Sequence, residues 1–279
     1  MNIPPSTPSI PERRAFLKNA AALIVTPSLF LGTESVVSAI PARPLTTTQN
    51  SRLQYTLRAR LTPQETQMAR DAERQIVDFF QHVQDLRNQR RQGLIEIDRN
   101  RIETFNSAIE ELSYLAQGQI TISLTNQNLL AETKLWSRRN KNEEPTGIRF
   151  TNCRFQSPNG RVNFSGSDLS HSTFNNCSLE NTNLVNVVAR EASFISSNLT
   201  GADLRGSNFT ESNFGSTNLT NTICSDRTNF EACEFQEANL RTNTLGLSNL
   251  MNAAYLETTT FPAGFNPGKH GMILRAFTR

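Results

Sequence analysis

From Thr62-Pro63 onward the apolar positions take helical spacing. Ala69, Ala72, Ile76, Phe79, Val83 and Leu86 follow steps of three and four, one stripe of an amphipathic helix. Gly93 interrupts, and a second stripe follows at Ile95, Ile102, Phe105, Ile109, Leu112 and Ala116. Carrying the first register forward would put Arg90, Gly93, Asn100 and Thr104 on the apolar seam, which favours a break over one long helix. The spacing therefore predicts an antiparallel helical hairpin, about 63–91 and 94–117, each helix burying its stripe on the other. Gln119 to Leu124 reads as a short strand, and Asn128 to Trp136 as a third short helix. Arg138 to Thr146, polar and containing Pro145, reads as a linker.

After Gly147 the period changes to five. Apolar centres fall at 150 and 155, at every fifth residue from 164 to 224, and at every fifth from 230 to 255. Nine are Phe, nine are Leu, and the others are Ala189, Cys224 and Tyr255. A small side chain stands two residues before the centre, except at Ile148 and Asn243. Neither a helix nor an ordinary strand produces this spacing. A square coil does: four five-residue sides per turn, the large centre and its small neighbour facing inward, the other three positions facing water.

The coil can be tested within the sequence, because every fourth centre should stack as a column. A four-residue excess is allowed between Phe155 and Phe164, and one extra residue between Cys224 and Phe230. One column then reads Phe150, Phe174, Phe194, Phe214, Phe235, Tyr255, and the next Phe155, Leu179, Leu199, Leu219, Leu240. Such sorting suits stacked coils, where like rings nest at about 4.8 Å. The excess falls at Gln156–Asn163, where Pro158-Asn159-Gly160 reads as a turn, and near Asp226-Arg227.

Segments such as Gly201-Ala202-Asp203-Leu204-Arg205 and Glu237-Ala238-Asn239-Leu240 carry an A-(D/N)-L pattern that resembles the pentapeptide-repeat family. The resemblance covers about 148–257 and implies a mainly β fold, a right-handed quadrilateral β-helix (pentapeptide-repeat solenoid) preceded by an α-helical hairpin segment. Stacked coils bury their faces only against neighbours, so both ends need caps. The organisation expected is a signal peptide over 1–39, a linker over 40–62, helices over 63–137 as a candidate N-terminal cap, a linker over 138–147, the β-helix over 148–260 and a cap or tail over 261–279. The segment Phe261 to Gly268 resembles the tail that closes such repeats in exported proteins of photosynthetic bacteria.

The first residues read as an address. A charged segment, Glu12 to Lys18, precedes the apolar stretch Ala20 to Leu31 and a small-residue site at Val37-Ser38-Ala39. Arg13, Arg14, Phe16 and Leu17 resemble the twin-arginine export motif, although Glu12 stands where Ser or Thr is usual. An ordinary secretory signal is the other reading. Cleavage is expected after Ala39, delivering the chain to a periplasm or thylakoid lumen. No apolar run reaches the ~20 residues of a spanning helix, so no mature transmembrane segment is expected.

Composition narrows the function classes. The 279 residues carry 28 basic and 25 acidic groups, a net of +3, too even for an obligate nucleic-acid binder. The repeat region holds 7 basic and 10 acidic residues. Four cysteines lack zinc spacing, and His82, His171 and His270 lie in separate segments without a nucleophile or metal partner pattern. No catalytic residue, metal site or cofactor is therefore expected. Cys153 and Cys177 each lie two before a second-column centre, one turn apart. Their Cα atoms should be about 4.8 Å apart, which admits a disulfide, although in-register side chains put the Cβ atoms at the edge of the range. Buried small fillers are the other reading for this pair.

The Asn or Asp that precedes many centres could form a polar face for a partner, or could serve turn chemistry; turn chemistry is preferred. The expectation is a non-enzymatic exported protein–protein interaction or scaffold module with an unidentified protein partner and no nucleic acid, with a homodimer through the helices or rod end as a further option. The alternatives are a DNA mimic of the gyrase-protecting type, disfavoured by the weak charge and seven interspersed arginines, and an exported enzyme or cofactor carrier.

Overall fold

The computed structural model describes residues 51–59, 61–89, 93–124, 126–138, 143–158 and 160–276. The export residues Arg13, Arg14, Phe16, Leu17 and Ala39 lie outside the described residues. In chain order the elements are β1 (Ser51–Gln54), α1 (Pro63–Gln89), β2 (Ile95–Glu96), α2 (Arg99–Leu115), β3 (Ile120–Leu124), β4 (Thr133–Lys134), β5 (Trp136–Ser137), β6 (Thr146–Gly147) and β7 (Cys153–Gln156). The repeats come next, and the described chain ends with β8 (Ala254–Tyr255) and β9 (Ile273–Leu274).

α1 starts where Thr62 and Glu65 cap each other. The Glu65 amide donates to Thr62 Oγ1 (3.1 Å) and the Thr62 amide to the Glu65 carboxylate (2.7 Å), with Pro63 at the first helical position. α2 starts later than its apolar stripe suggested. Asp98 caps it by accepting from the Arg101 amide (3.0 Å), while Ile95 and Ile97 bury alternate side chains around β2, which pairs in parallel with β4. The second helix is thus 99–115 rather than 94–117, because Ile95 follows a strand period and joins a sheet.

The third helix expected over Asn128–Trp136 is absent; that stretch is turn, β4 and β5. Its backbone is taken up by the coil above. The Asn163 amide donates to the Gln127 carbonyl, Glu132 to Ser165, Leu135 to Asp168, and Asp168 back to Thr133. β3 pairs in parallel with β7, and β1 closes the far edge of β3 in antiparallel register. Residues 120–137 therefore form a partial coil turn, so coil geometry begins before residue 148. The stretch expected to be a linker contributes β6, which pairs with β5.

Beyond this turn, single parallel bridges join each side to the one a turn away. The offset is 20 residues (Thr173 to Ser193), 24 across the first insertion (Arg149 to Thr173) and 21 across the second (Asn213 to Glu234). Most sides turn their corner at the second residue after the centre, which holds a left-handed backbone. Asn176, Asn181, Asn186, Glu191, Ser196 and Ser216 all have φ between 54° and 58°. Asn tolerates that region at small cost, and Glu and Ser are held there by the stack on either side.

Inside, Phe150, Phe174, Phe194, Phe214 and Phe235 stack in a buried column with centroids 5.0–5.4 Å apart. On the other side of this column, Phe209 and Phe230 stack on each other and meet its rings edge-on. At the column's last position the half-buried Tyr255 meets Phe261 edge-on at 5.3 Å. The small inward positions also do more than fill space. Ser207 Oγ donates to the Leu184 carbonyl of the previous turn and accepts from the Val187 amide, and Ser212 repeats this with Ala189 and Ala192. The coil interior is thus laced by hydroxyls as well as packed by rings.

Candidate interaction surface

The helices meet the coil at its first turn. Phe105 of α2 packs edge-on against Phe150 (5.2 Å), extending the aromatic column into the helical layer, where Phe79 and Phe80 surround Phe105. Beside it the buried Asn106 side chain pairs with the first side's backbone, donating to the Gly147 carbonyl (2.9 Å) and accepting from the Arg149 amide (2.7 Å). Ser113 Oγ donates to the Thr151 carbonyl, and from α1 the Arg87 guanidinium donates to the Leu129 and Ala131 carbonyls. Helical side chains thereby occupy backbone groups that a further coil would otherwise take. Gly147 is required at this joint, since a Cβ there would overlap the His171 carbonyl.

The outward faces of the coil are largely engaged with themselves. Asn163, Asn183, Asn198, Asn208, Asn213, Asn218, Asn229, Asn239 and Asn249, with Asp168 and Asp203, each accept from the amide two residues on. Their free amide groups also link turns: Asn218 donates to Thr200 Oγ1 (3.0 Å), Asn229 to Thr210 Oγ1 (3.1 Å) and Asn249 to Asn229 (3.0 Å). The regular Asn positions are turn and ladder chemistry.

Other residues singled out in the sequence lie apart. Cys153, Cys177, Cys224 and Cys233 are free and buried. The Cys177 thiol donates to the Phe150 carbonyl (2.6 Å), and that of Cys233 to the Phe209 carbonyl (2.9 Å). Burial pushes the Cys153 thiol well up, helped by the neighbouring Cys177 thiol, and pushes Cys224 up to about 11. Such thiols behave as small apolar fillers. His171 turns a left-handed corner, its ring edge-on to Trp136 (5.2 Å) and its Nδ1 3.5 Å from Glu191 Oε2. His270 stacks on Phe265 (4.5 Å), and His82 is pushed below its ordinary value by burial and by the charge of Arg101. No three His, Cys, Asp or Glu side chains among the described residues could share a metal ion, and no described helix is long and apolar enough to cross a membrane.

Asn106 and Arg87 do not stand out in the sequence. Each is a polar residue on a helix facing the buried side, and that mismatch with the stripe is the signal that could have found them.

A four-sided parallel coil, closed at one end by helical side chains and laced inside by rings and hydroxyls, defines a β-helical repeat protein. Residues 163–192 and 190–223 match the family model described as Pentapeptide repeats, in 8 copies, so this stretch carries pentapeptide repeats. No curated protein sequence matches the chain. Among solved structures, a trypsin-treated form of QnrB1, a plasmid-mediated fluoroquinolone resistance protein, is similar at 16% identity over 46% of this chain and 73% of that one, TM-score 0.33. A pentapeptide repeat protein from the Arabidopsis thaliana thylakoid lumen is similar at 26% identity over 34% of this chain and 62% of that one, TM-score 0.23. A further pentapeptide repeat protein, from Nostoc PCC 7120, is similar at 24% identity over 42% and 88%, TM-score 0.18.

Proposed function

We propose that the chain is a non-enzymatic, exported interaction or scaffold module whose partner docks on the helical layer. The supporting observation is the joint between helices and coil. Asn106, Ser113 and Arg87 tie both helices to coil backbone while Phe105 continues the aromatic column. Helices and coil thereby form one stiff body, which suits holding a bound partner at a fixed distance and angle. Many of the coil's outward amides and hydroxyls are spent on one another, whereas α1 exposes Arg70 and Asp78 to water. Export to a periplasm or thylakoid lumen rests on the address read in the first 39 residues.

The test is affinity capture by the mature chain, from Ile40, in the exported fraction of its native host. One variant replaces Arg70, Arg74 and Asp78 by Ala, and another replaces Asn198, Asn218 and Thr220. Removing 51–147 outright would not serve, because 120–137 belongs to the coil and Phe105 covers Phe150. A partner lost only with the helical variant supports the proposal, and one lost only with the coil variant moves the interface to the rod. Turnover of any substrate by the purified chain, or capture of no partner, overturns it. Sedimentation of the purified chain reads whether a second copy is that partner.

A further inference from the structure

The two ends of the coil are finished differently. At the first turn Phe105 covers Phe150, and Asn106 occupies the backbone of the first side. At the other end the columns run on past the last repeat. β8 and β9 pair in parallel, Ala254 with Ile273 and Tyr255 with Leu274, so Leu274 takes the next place above Tyr255 in the column that starts at Phe150. The bridge from Asn239 to Thr260 likewise sets Phe261 above Leu240. Phe261, Phe265 and His270 stack in turn, all three half-buried. The segment expected to close the rod is therefore one more turn of coil, whose column residues are only partly covered.

The backbone shows the same open end. Phe174, Phe194, Phe214 and Phe235 each donate their amide to a carbonyl of the turn above, at Ser193, Asn213, Glu234 and Ala254. In β9 the Ile273 and Arg275 amides donate down, to the Ala253 and Tyr255 carbonyls. The Leu274 amide and carbonyl, between them, point away from β8, and β9 has no second strand neighbour among the described residues. The side chains there are bare as well. Leu247 (59%), Leu274 and Met251 (51% each) and Ile273 (49%) are the four most exposed large apolar side chains among the described residues, and all lie at this end. Apolar exposure gathered at a free strand edge marks a docking surface. Around it Lys269 and Arg275 stand with Glu257, all exposed, a rim of both signs. An anionic lipid surface would select a basic rim, and it offers β9 no strand.

We propose that this end is a self-association surface, on which a second copy docks end to end about a two-fold axis. β9 of one copy pairs antiparallel with β9 of the other, Leu274 opposite Leu274. In that register each Leu274 amide donates to the Leu274 carbonyl of the other copy, so one residue supplies both groups that the interface needs. The two columns of inward side chains then join through facing leucines. An unrelated protein would have to bring a free apolar strand of its own, whereas a second copy carries one by construction. The helical layers stand at the outer ends of the pair, so this surface does not depend on a partner docking there.

The test is sedimentation of the mature chain, from Ile40, at about 1 to 200 µM, with small-angle scattering for shape. The end surface is small, so a dimer forming in the micromolar range is expected, with a maximum dimension about twice that of the monomer. Leu274→Asp should weaken it about tenfold or more. Leu274→Pro, which removes an amide that β8 does not use, should weaken it too. Unchanged thermal melting shows that both variants fold. The chain with Arg70, Arg74 and Asp78 replaced by Ala should dimerise like its parent, which separates failure here from failure of the helical-layer reading. A monomer at about 200 µM overturns the proposal, as does a dimer that both Leu274 variants leave intact. Binding of the monomer to phosphatidylglycerol vesicles, abolished by Leu274→Asp, would overturn it in favour of a lipid surface.

Discussion

Asn106 on α2 treats Arg149 as a neighbouring strand would. Its Oδ1 accepts the Arg149 amide at 2.7 Å while its Nδ2 donates to the Gly147 carbonyl at 2.9 Å. One carboxamide therefore reproduces both halves of a β-bridge at the first side of the coil. Its replacement by Leu leaves a buried carbonyl and a partly buried amide unpaired, at a cost of about 1–3 kcal/mol in urea unfolding. The opened edge should also promote association that grows with concentration, visible by light scattering. An Asn106→Leu chain as stable and as monodisperse as its parent would remove the capping role.

Phe194 sits mid-column between Phe174 (5.2 Å, 6° between planes) and Phe214 (5.0 Å, 5°), and meets Phe209 edge-on. Phe194→Ala should cost about 3–5 kcal/mol, because a cavity opens in a stack whose walls are bridged backbone and cannot collapse. Phe194→Leu should cost less, since Leu is the regular centre of the adjoining column. Urea midpoints of the two variants give the comparison.

The thiols should be inert in the native state. With Cys224 pushed up to about 11, roughly one molecule in a thousand carries its thiolate at pH 8. A thiol-specific disulfide reagent should label none of the four cysteines before denaturation and all four after it. Two that label only after reduction, mapped by peptide mass to Cys153 and Cys177, would show that this stacked pair is oxidised.

Burial pushes the Asp203 carboxyl up, but hydrogen bonds and charge from Arg205, with the charge of Arg161, outweigh it and hold the group below its ordinary value of 3.8. A depressed folded value means that the ionised form adds stability above the unfolded value, and that this is lost as pH falls through the folded one. Asp203→Asn should therefore be less stable than its parent near about pH 6, and the gap should close on acidification to about pH 2. A gap that stays constant with pH would assign the loss to packing.

Export can be read directly. Arg13→Lys combined with Arg14→Lys should retain the full-length chain inside the cytoplasm, and Edman sequencing of the exported wild-type protein should begin at Ile40. Export of the double-Lys chain at the normal rate would point to a general secretory route instead.

Much of the coil was legible from the residues alone. One inward ring and one small inward neighbour recur every five positions because each side repeats the same local demand. Column membership and both insertion offsets then come out by counting, as the bridges Arg149 to Thr173 and Asn213 to Glu234 show. The Asn before each centre belongs to the same layer, since its bond reaches only two residues along the chain. Residues 120–137 do not repeat the pattern, and they join the coil because their backbone groups find partners in the turn above. Asn106 meets residues 41 and 43 positions away, and the buried Gln127 Oε1 lies against Gly160. Periodic burial is written locally, whereas the capping of an open edge and the burial of an unpaired acceptor arise only when distant segments are brought together in space.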